Sequence, residues 1–343
     1  MASFAPRRAF PNLESLPRSY FLGHHRAGLN KMKTMLSSIN LIIECRDYRV
    51  PLTSRNPLFE ENLAGRERLI VYTKQDLGSE GKEEDTKREQ TIRRWHSPSK
   101  VLFSSIHSPV SARKILKYVA SYSLTSDSLT GSRLMVVGMP NVGKSSLLNA
   151  LRKLGTESKT KAAQTGSQPG VTRKIGTTVK IIEATEEREA VYLMDTPGVF
   201  VPYVPNAESM LKLALCGSVK DTIIAPVTLA DYLLYQMNLK DSALYGDYSP
   251  STNEIMTLLD AVAHKTGRLQ KGGTPDLEAS ALWLIQRWRN GFLGRFVLDE
   301  IGEGGLEEKR GEDEVLGMSL SQARKGQREV RRMRSKLKNL EIV

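Results

Sequence analysis

The sequence has only two cysteines in 343 residues, Cys45 and Cys216, too far apart to frame a disulfide scaffold or to supply paired zinc ligands. That scarcity fits a reducing compartment and leaves any metal to arrive with a substrate. Long hydrophobic runs are missing as well. The longest, Ile39 to Cys45, is broken by Glu44 and followed by Arg46 and Asp47, far short of the roughly 20 apolar residues that cross a bilayer. No internal repeat is visible, which argues against solenoids and propellers. Acidic residues are absent from the first 13 positions, which carry Arg7 and Arg8 as a mitochondrial presequence would; Pro6 and Pro11 interrupt the amphipathic helix that such a leader forms. Residues 1–19 are therefore read as an N-terminal extension or presequence.

What is present is a chain long enough for two domains, 40% apolar, with a net charge of +12. The positive field attracts polyanions, nucleic acid or anionic lipid, although charge also serves plain solubility. Short β-type runs recur at Leu41–Glu44, Leu69–Tyr72, Val101–Phe103, Leu134–Val137, Val179–Ile182 and Val191–Leu193, with helical or charged segments between most of them. This alternation predicts an α/β fold with a mainly parallel sheet and its functional residues at the carboxyl ends of the strands. Residues 78–96 read as a solvated helix face and 121–132 as a connector. Beyond about Pro205 the pattern turns helical. Ser251 and Glu254 form a capping box, and Thr274 and Pro275 open a helix that presents Leu277, Ala281, Leu284 and Trp288 on one face. The expected organisation is an α/β domain over 20–203, an α-helical domain over 204–300 and a basic tail over 301–343. Arg324 to Lys338 in that tail suit RNA phosphates, or form a solvated helix.

Gly138-Met139-Pro140-Asn141-Val142-Gly143-Lys144-Ser145 fits the phosphate-binding loop, between the strand Leu134–Val137 and a helical run at Leu147–Leu151. Backbone N–H groups from Asn141 through Ser146, including Val142 and Gly143, can turn toward phosphate oxygens at a helix N-terminus. Lys144 adds charge at the β/γ oxygens, and Ser145 can ligate Mg²⁺. Thr73-Lys74-Gln75-Asp76 follows another strand. A carboxylate at Asp76 accepts from N1–H and the 2-amino group of guanine but faces an acceptor in adenine, so guanine is preferred. The Lys74 stem can pack on the base, and Ser104, Ser105 and Ile106 after the next strand can add backbone contacts. Asp195-Thr196-Pro197-Gly198 supplies an acid for Mg²⁺ and a glycine N–H for the γ-phosphate; Thr172, between the two phosphate elements, can complete the metal shell. GTP or GDP with Mg²⁺ is the implied ligand.

In Ras-like GTPases the phosphate loop comes first and the base-reading motifs last. Here Thr73–Asp76 and Ser104–Ile106 precede the phosphate loop, a circularly permuted order. Together with Tyr20–His25, Asp47–Pro57, Lys212–Asp221 and Gly267–Gly273, this resembles the permuted GTPases of the YlqF/RbgA family, in its mitochondrial ribosome-associated branch. The resemblance covers roughly residues 20–300. It implies an assembly factor for the mitochondrial large ribosomal subunit, in contact with rRNA and ribosomal proteins, in the matrix and peripheral to the inner membrane; no DNA partner is expected. Leu22 and His25 depart from the family's Pro and Met beside its histidine, and Thr73 replaces its usual Asn.

Where Ras-type enzymes place the Gln that orients water, this chain has Val199. Unaided hydrolysis is then expected to be no faster than on the order of 10⁻⁴ s⁻¹. Two substitutes are visible. His24 stands at the family position proposed to reach the γ-phosphate, or is a structural or RNA-facing histidine. Asn141 either holds K⁺ beside the phosphates or simply shapes the turn. A GTP-stabilised RNA scaffold with little hydrolysis is the alternative function, and a phosphate-loop kinase or ATPase is disfavoured by Asp76.

Overall fold

A computed structural model describes residues 4–11, 36–63, 65–124, 131–156, 178–186, 189–195 and 204–312. His24, Thr172, Gly198 and the stretch from Arg324 to Lys338 lie outside them. All six expected strands form: β1 (Leu41–Asp47), β2 (Arg68–Thr73), β3 (Lys100–Phe103), β4 (Ser132–Val137), β5 (Val179–Ile182) and β6 (Val191–Asp195). They make one sheet in the order β3-β2-β1-β4-β6-β5, parallel except for the β5–β6 pair.

β1 is buried at every residue because neighbouring strands flank it and other elements cover both faces. Its side chains alternate as the pleat requires. Leu41, Ile43 and Cys45 enter the large core, while Ile42 joins Leu36, Ile39, Leu63, Met135 and Val137 on the opposite face. Glu44 and Arg46 are buried on β1 and pair with each other at 2.6 Å. Glu60 closes the network on Arg46 at 2.8 Å and on Arg55 at 2.7 Å. The charges that rule out a membrane span thus survive inside the protein only because each has a partner.

Register carries the functional ends to one edge. Asp47 lies opposite Thr73, Glu44 opposite Val137, and Val136 opposite Asp195. The helices α1 (Pro57–Asn62), α2 (Lys82–Trp95), α3 (Pro109–Leu124) and α4 (Lys144–Gly155) connect the strands. α2 buries only Ile92, as expected of a solvated helix. The supposed connector at 121–132 begins later than expected, since α3 continues to Leu124 and Ser132 already belongs to β4.

After residue 204 come α5 (Ala207–Leu215), α6 (Pro226–Lys240), α7 (Ile255–Thr266) and α8 (Leu277–Arg289). α8 buries Ala281, Leu284 and Trp288 as expected, but Asp276 caps it by accepting from Ala279 N–H at 2.9 Å, so the helix opens after Pro275. The capping box expected for α7 does not form. Glu254 stands at its N-cap without a side-chain bond, and the Ser251 hydroxyl instead donates to Ser242 at 2.8 Å. Leu211, Leu213, Tyr232, Leu259 and Trp288 from these helices share one buried cluster with β1, β4 and β6. Met1–Ile301 accordingly forms one compact unit; Gly302–Val343 is a second, with a helical stretch at 305–312. Asp299 joins the helical region to the loop after β1, accepting from the N–H groups of Leu52 and Thr53, each at 2.8 Å, and from the Thr53 hydroxyl at 2.6 Å. Residues 4–11 pack on α6: Arg7 is bidentate to Asp231 at 3.1 and 2.7 Å, and Phe10 meets Tyr232 edge-on at 5.1 Å. No described helix is long and apolar enough to cross a membrane.

Under β2, His96 Nε2 lies 2.9 Å from the Tyr72 hydroxyl. Burial, reinforced by nearby Arg46, lowers the imidazole pKa to about 2. The unfolded chain therefore binds this proton more readily than the folded one, and stability falls as pH drops below about 6.5, by up to about 1.4 kcal/mol per unit. Urea unfolding of the wild type between pH 7 and 5 should show this slope, and His96→Gln should remove that increment.

Candidate functional site

The phosphate loop leaves β4 at Gly138, whose φ of +143° and position 2.3 Å from the Cys45 carbonyl, measured to an ideal Cβ, admit no side chain. The loop ends at Gly143, the N-cap of α4, so the first turn of that helix presents its N–H groups to the cleft. Lys144 is buried and donates to the carbonyls of Gly138 and Met139 at 2.9 and 2.7 Å. Burial brings its pKa down to about 8, against the pull of Cys45 and Asp195. Opposite stands Asp195: one carboxylate oxygen accepts from the Ser145 hydroxyl at 2.8 Å, and the other is buried without a partner among the described residues. Burial raises the Asp195 pKa despite Ser145 and Lys144. An orphaned carboxylate oxygen beside a hydroxyl suits a divalent cation, so these residues fit Mg²⁺.

The base-reading loop is held from below. The Thr73 hydroxyl shares its proton between the carbonyls of Arg46, at 3.1 Å, and Val142 in the phosphate loop. Thr73 thus ties the two loops together. Lys74, in the left-handed region at φ 57°, extends to Asp47 at 2.9 Å. Asp76 lines the cleft with one carboxylate oxygen buried and unpartnered among the described residues, the arrangement expected of a guanine reader. Ser104, Ser105 and Ile106 line the same cleft, but the N–H of Ser104 is spent on Tyr72 at 2.7 Å and that of Ser105 on the Ser111 hydroxyl at 3.2 Å. In this structure those two N–H groups are engaged within the loop.

Behind the cleft, Asp47 is fully buried and accepts from the backbone N–H of Arg49 at 3.0 Å, from its guanidinium at 3.0 and 2.8 Å, and from Lys74. Burial alone would raise the Asp47 pKa; Arg49 and Lys74 hold it well below the usual carboxylate range. Arg49 then stacks over Trp288 at 4.9 Å and reaches the Cys216 carbonyl at 3.4 Å. Burial pushes both cysteine thiols up to about 12, so neither serves as a nucleophile at neutral pH.

The helical region closes the outer side of the cleft of about 720 Å³. Asn141, at φ 56°, donates through Nδ2 to the Gly217 carbonyl at 2.8 Å. Arg289 holds the same turn through the Leu215 and Ala214 carbonyls at 2.9 and 2.8 Å and pairs with Asp221 at 2.6 Å. Gln286, Arg289, Asn290 and Phe292 line the cleft with the nucleotide motifs. Sequence reasoning attached the Lys212–Asp221 stretch to a family signature without a role, and no local pattern marked Arg289 or Phe292. Only docking of α8 brings them there. Lys153 lines the cleft too, and Arg268 stacks on Trp283 at 4.7 Å.

A sheet in this order, with a base-reading loop ahead of the phosphate loop in sequence yet beside it in space, defines a circularly permuted P-loop GTPase. A family described as 50S ribosome-binding GTPase matches residues 133–264, the part that begins at β4. In fold the chain is similar to GNP-bound YlqF from T. maritima, with a TM-score of 0.55 and 22% identity over 79% of this chain and 97% of that one. It is 36% identical to Mitochondrial GTPase 1 of Schizosaccharomyces pombe, covering 89% of this chain and 95% of the relative. It is also 35% identical to Mitochondrial ribosome-associated GTPase 1 of Bos taurus, covering 85% and 92%. The chain belongs to this family of mitochondrial, ribosome-associated GTPases.

Removing the Asp47 charge leaves the buried Arg49 unpaired, facing the half-buried Lys74. Asp47→Asn should therefore cost about 3–5 kcal/mol of folding stability, read as a lowered urea midpoint at unchanged slope.

Proposed function

We propose that this chain binds and hydrolyses GTP as an assembly factor for the mitochondrial large ribosomal subunit, with the nucleotide state controlling its grip on rRNA. The reading rests first on Asp76, which lines the cleft beside an intact phosphate loop and has one buried carboxylate oxygen without a partner among the described residues. Lys144 would exchange the Gly138 and Met139 carbonyls for phosphate oxygens, and its charge is favoured once those oxygens are near. Ser145 and Asp195, with Thr172 from outside the described residues, would hold Mg²⁺, which neutralises charge on the transferring phosphate. The ribosomal partner is supported by the names of the relatives and by the +12 net charge. We place its action in the matrix, peripheral to the inner membrane.

Control of RNA binding is supported by the Asn141–Gly217 bond, which joins the phosphate loop directly to the helical region. A change at the phosphates has a short path to the turn that Arg289 clasps, so GTP and GDP would favour different seatings of that turn. For turnover, Val199 offers no polar group to orient water, and we assign that role to His24 in the ribosome-bound protein. K⁺ at Asn141 would take Oδ1, the one side-chain atom able to ligate a cation, while Nδ2 donates to Gly217. Val199 also favours the second reading, a GTP-stabilised RNA scaffold with little hydrolysis.

Two measurements test these assignments. Asp76→Asn replaces an acceptor by a donor, so its preference should move from GTP to XTP, whose C2 carries a carbonyl, by at least about tenfold; a variant still preferring GTP would refute the guanine assignment. Multiple-turnover GTPase assays with large subunits, in KCl and in NaCl, should show stimulation that His24→Ala abolishes while nucleotide affinity stays within a few-fold. Absence of stimulated turnover in the wild type would favour the scaffold, and equal rates in the two salts would remove K⁺.

A further inference from the structure

We propose that the C-terminal turn of α8 is the outer wall of the base subsite and that Phe292 at its tip stacks on the guanine base. The helical region would then contribute directly to nucleotide affinity. The inference rests on the guanine reading of Asp76 and deepens it.

Three observations carry it. The helix ends in a tight reversal: Gly291 N–H donates to the Trp288 carbonyl at 2.8 Å and Phe292 N–H to the Arg287 carbonyl at 3.0 Å, with Gly291 at φ +79°. This turn seats on the base-reading loop, since a Cβ at Gly291 would stand 3.0 Å from Leu77 Cδ2, one residue beyond Asp76. The reversal usually tucks an apolar side chain back against its own helix, but Phe292 remains 62% exposed and lines the cleft with Asp76, Leu77 and Ile106.

Arg287 holds the ring from the other side, its guanidinium 4.3 Å from the ring centroid and itself stacked beside Trp283 at 5.5 Å. The phenyl group is thus braced in position before any ligand binds. Among the described residues lining the cleft, Phe292 is the one phenyl ring. A purine held at its edge by Asp76 has two faces to cover. The Lys74 stem, stretched toward Asp47, is available for one, and a preset aromatic ring is the group that best covers the other. Such a contact is made to the base alone, so it should be indifferent to the number of phosphates.

The test is calorimetric titration of the full chain, as wild type, Phe292→Ala and Phe292→Tyr, with GDP, a non-hydrolysable GTP analogue and inorganic tripolyphosphate. Phe292→Ala is expected to weaken GDP and the GTP analogue equally, by about tenfold, with tripolyphosphate unchanged and the aromatic variant within about twofold of wild type. GDP binding by Phe292→Ala as tight as that of wild type would overturn the proposal. So would a parallel loss of tripolyphosphate, which has no base to stack. Asp76→Asn titrated alongside separates the two levels. A switch to XDP with no effect of Phe292→Ala defeats the stacking role alone, while no switch defeats the guanine reading beneath it.

Discussion

One buried carboxylate, Asp47 at the end of β1, organises the site. It has no water to solvate it and is satisfied by the Arg49 backbone and guanidinium and by Lys74. Asp47 and Arg49 are both buried and neither charge is tolerable there without the other, while the half-buried Lys74 adds a second cation from the cleft side. Their mutual need fixes where Lys74 points and hence how the base-reading loop lies. It also holds Arg49 where it can stack on Trp288 and reach Cys216. The same anchor thus serves the base subsite on one side and the helical region on the other.

Circular permutation gives this arrangement its consequence. Cutting and rejoining a chain leaves a parallel sheet intact, because strand order in space depends on which faces and edges fit, not on the order of synthesis. What changes is which segments come next. Here the chain passes from β6 through a short segment to α5, whose C-terminal turn comes back to the phosphate loop. Asn141 donates to the Gly217 carbonyl and Arg289 to the Leu215 and Ala214 carbonyls of the same turn, so the phosphate loop and α8 hold one turn of the helical region from two sides. The helices line the same cleft as the nucleotide motifs and share one core with the sheet.

Much of this was readable in advance. All six strands were legible because short apolar runs set off by polar or helical segments leave a pattern that survives without knowledge of their neighbours. The phosphate loop was legible as a contiguous motif between a strand and a helix, and the fold supplies the reason for its glycine at 138, the approach to the Cys45 carbonyl on β1. Helix starts were less secure. Ser251 had the right spacing to Glu254, but its hydroxyl found Ser242 across a tertiary contact, and Asp276 rather than Thr274 capped α8. A polar side chain takes whichever partner the fold brings, and short-range spacing does not reveal the rival. Ser104 and Ser105 are a parallel case. Their N–H groups were available on paper and were consumed by Tyr72 and Ser111.

The circularly permuted motif order was determined by the sequence alone, since it is a property of order along the chain and needs no coordinates. So was the expectation of guanine, which follows from a carboxylate at position 76 next to a strand end. The tertiary structure alone decided that Thr73 ties the two loops together, that Asp47 and Lys74 depend on each other, and that α8 brings Arg289 and Phe292 to the cleft. Those relations join residues separated by tens to hundreds of positions. Their energies come from burial and hydrogen bonding between faces that meet only when the chain is packed, so no local pattern encodes them.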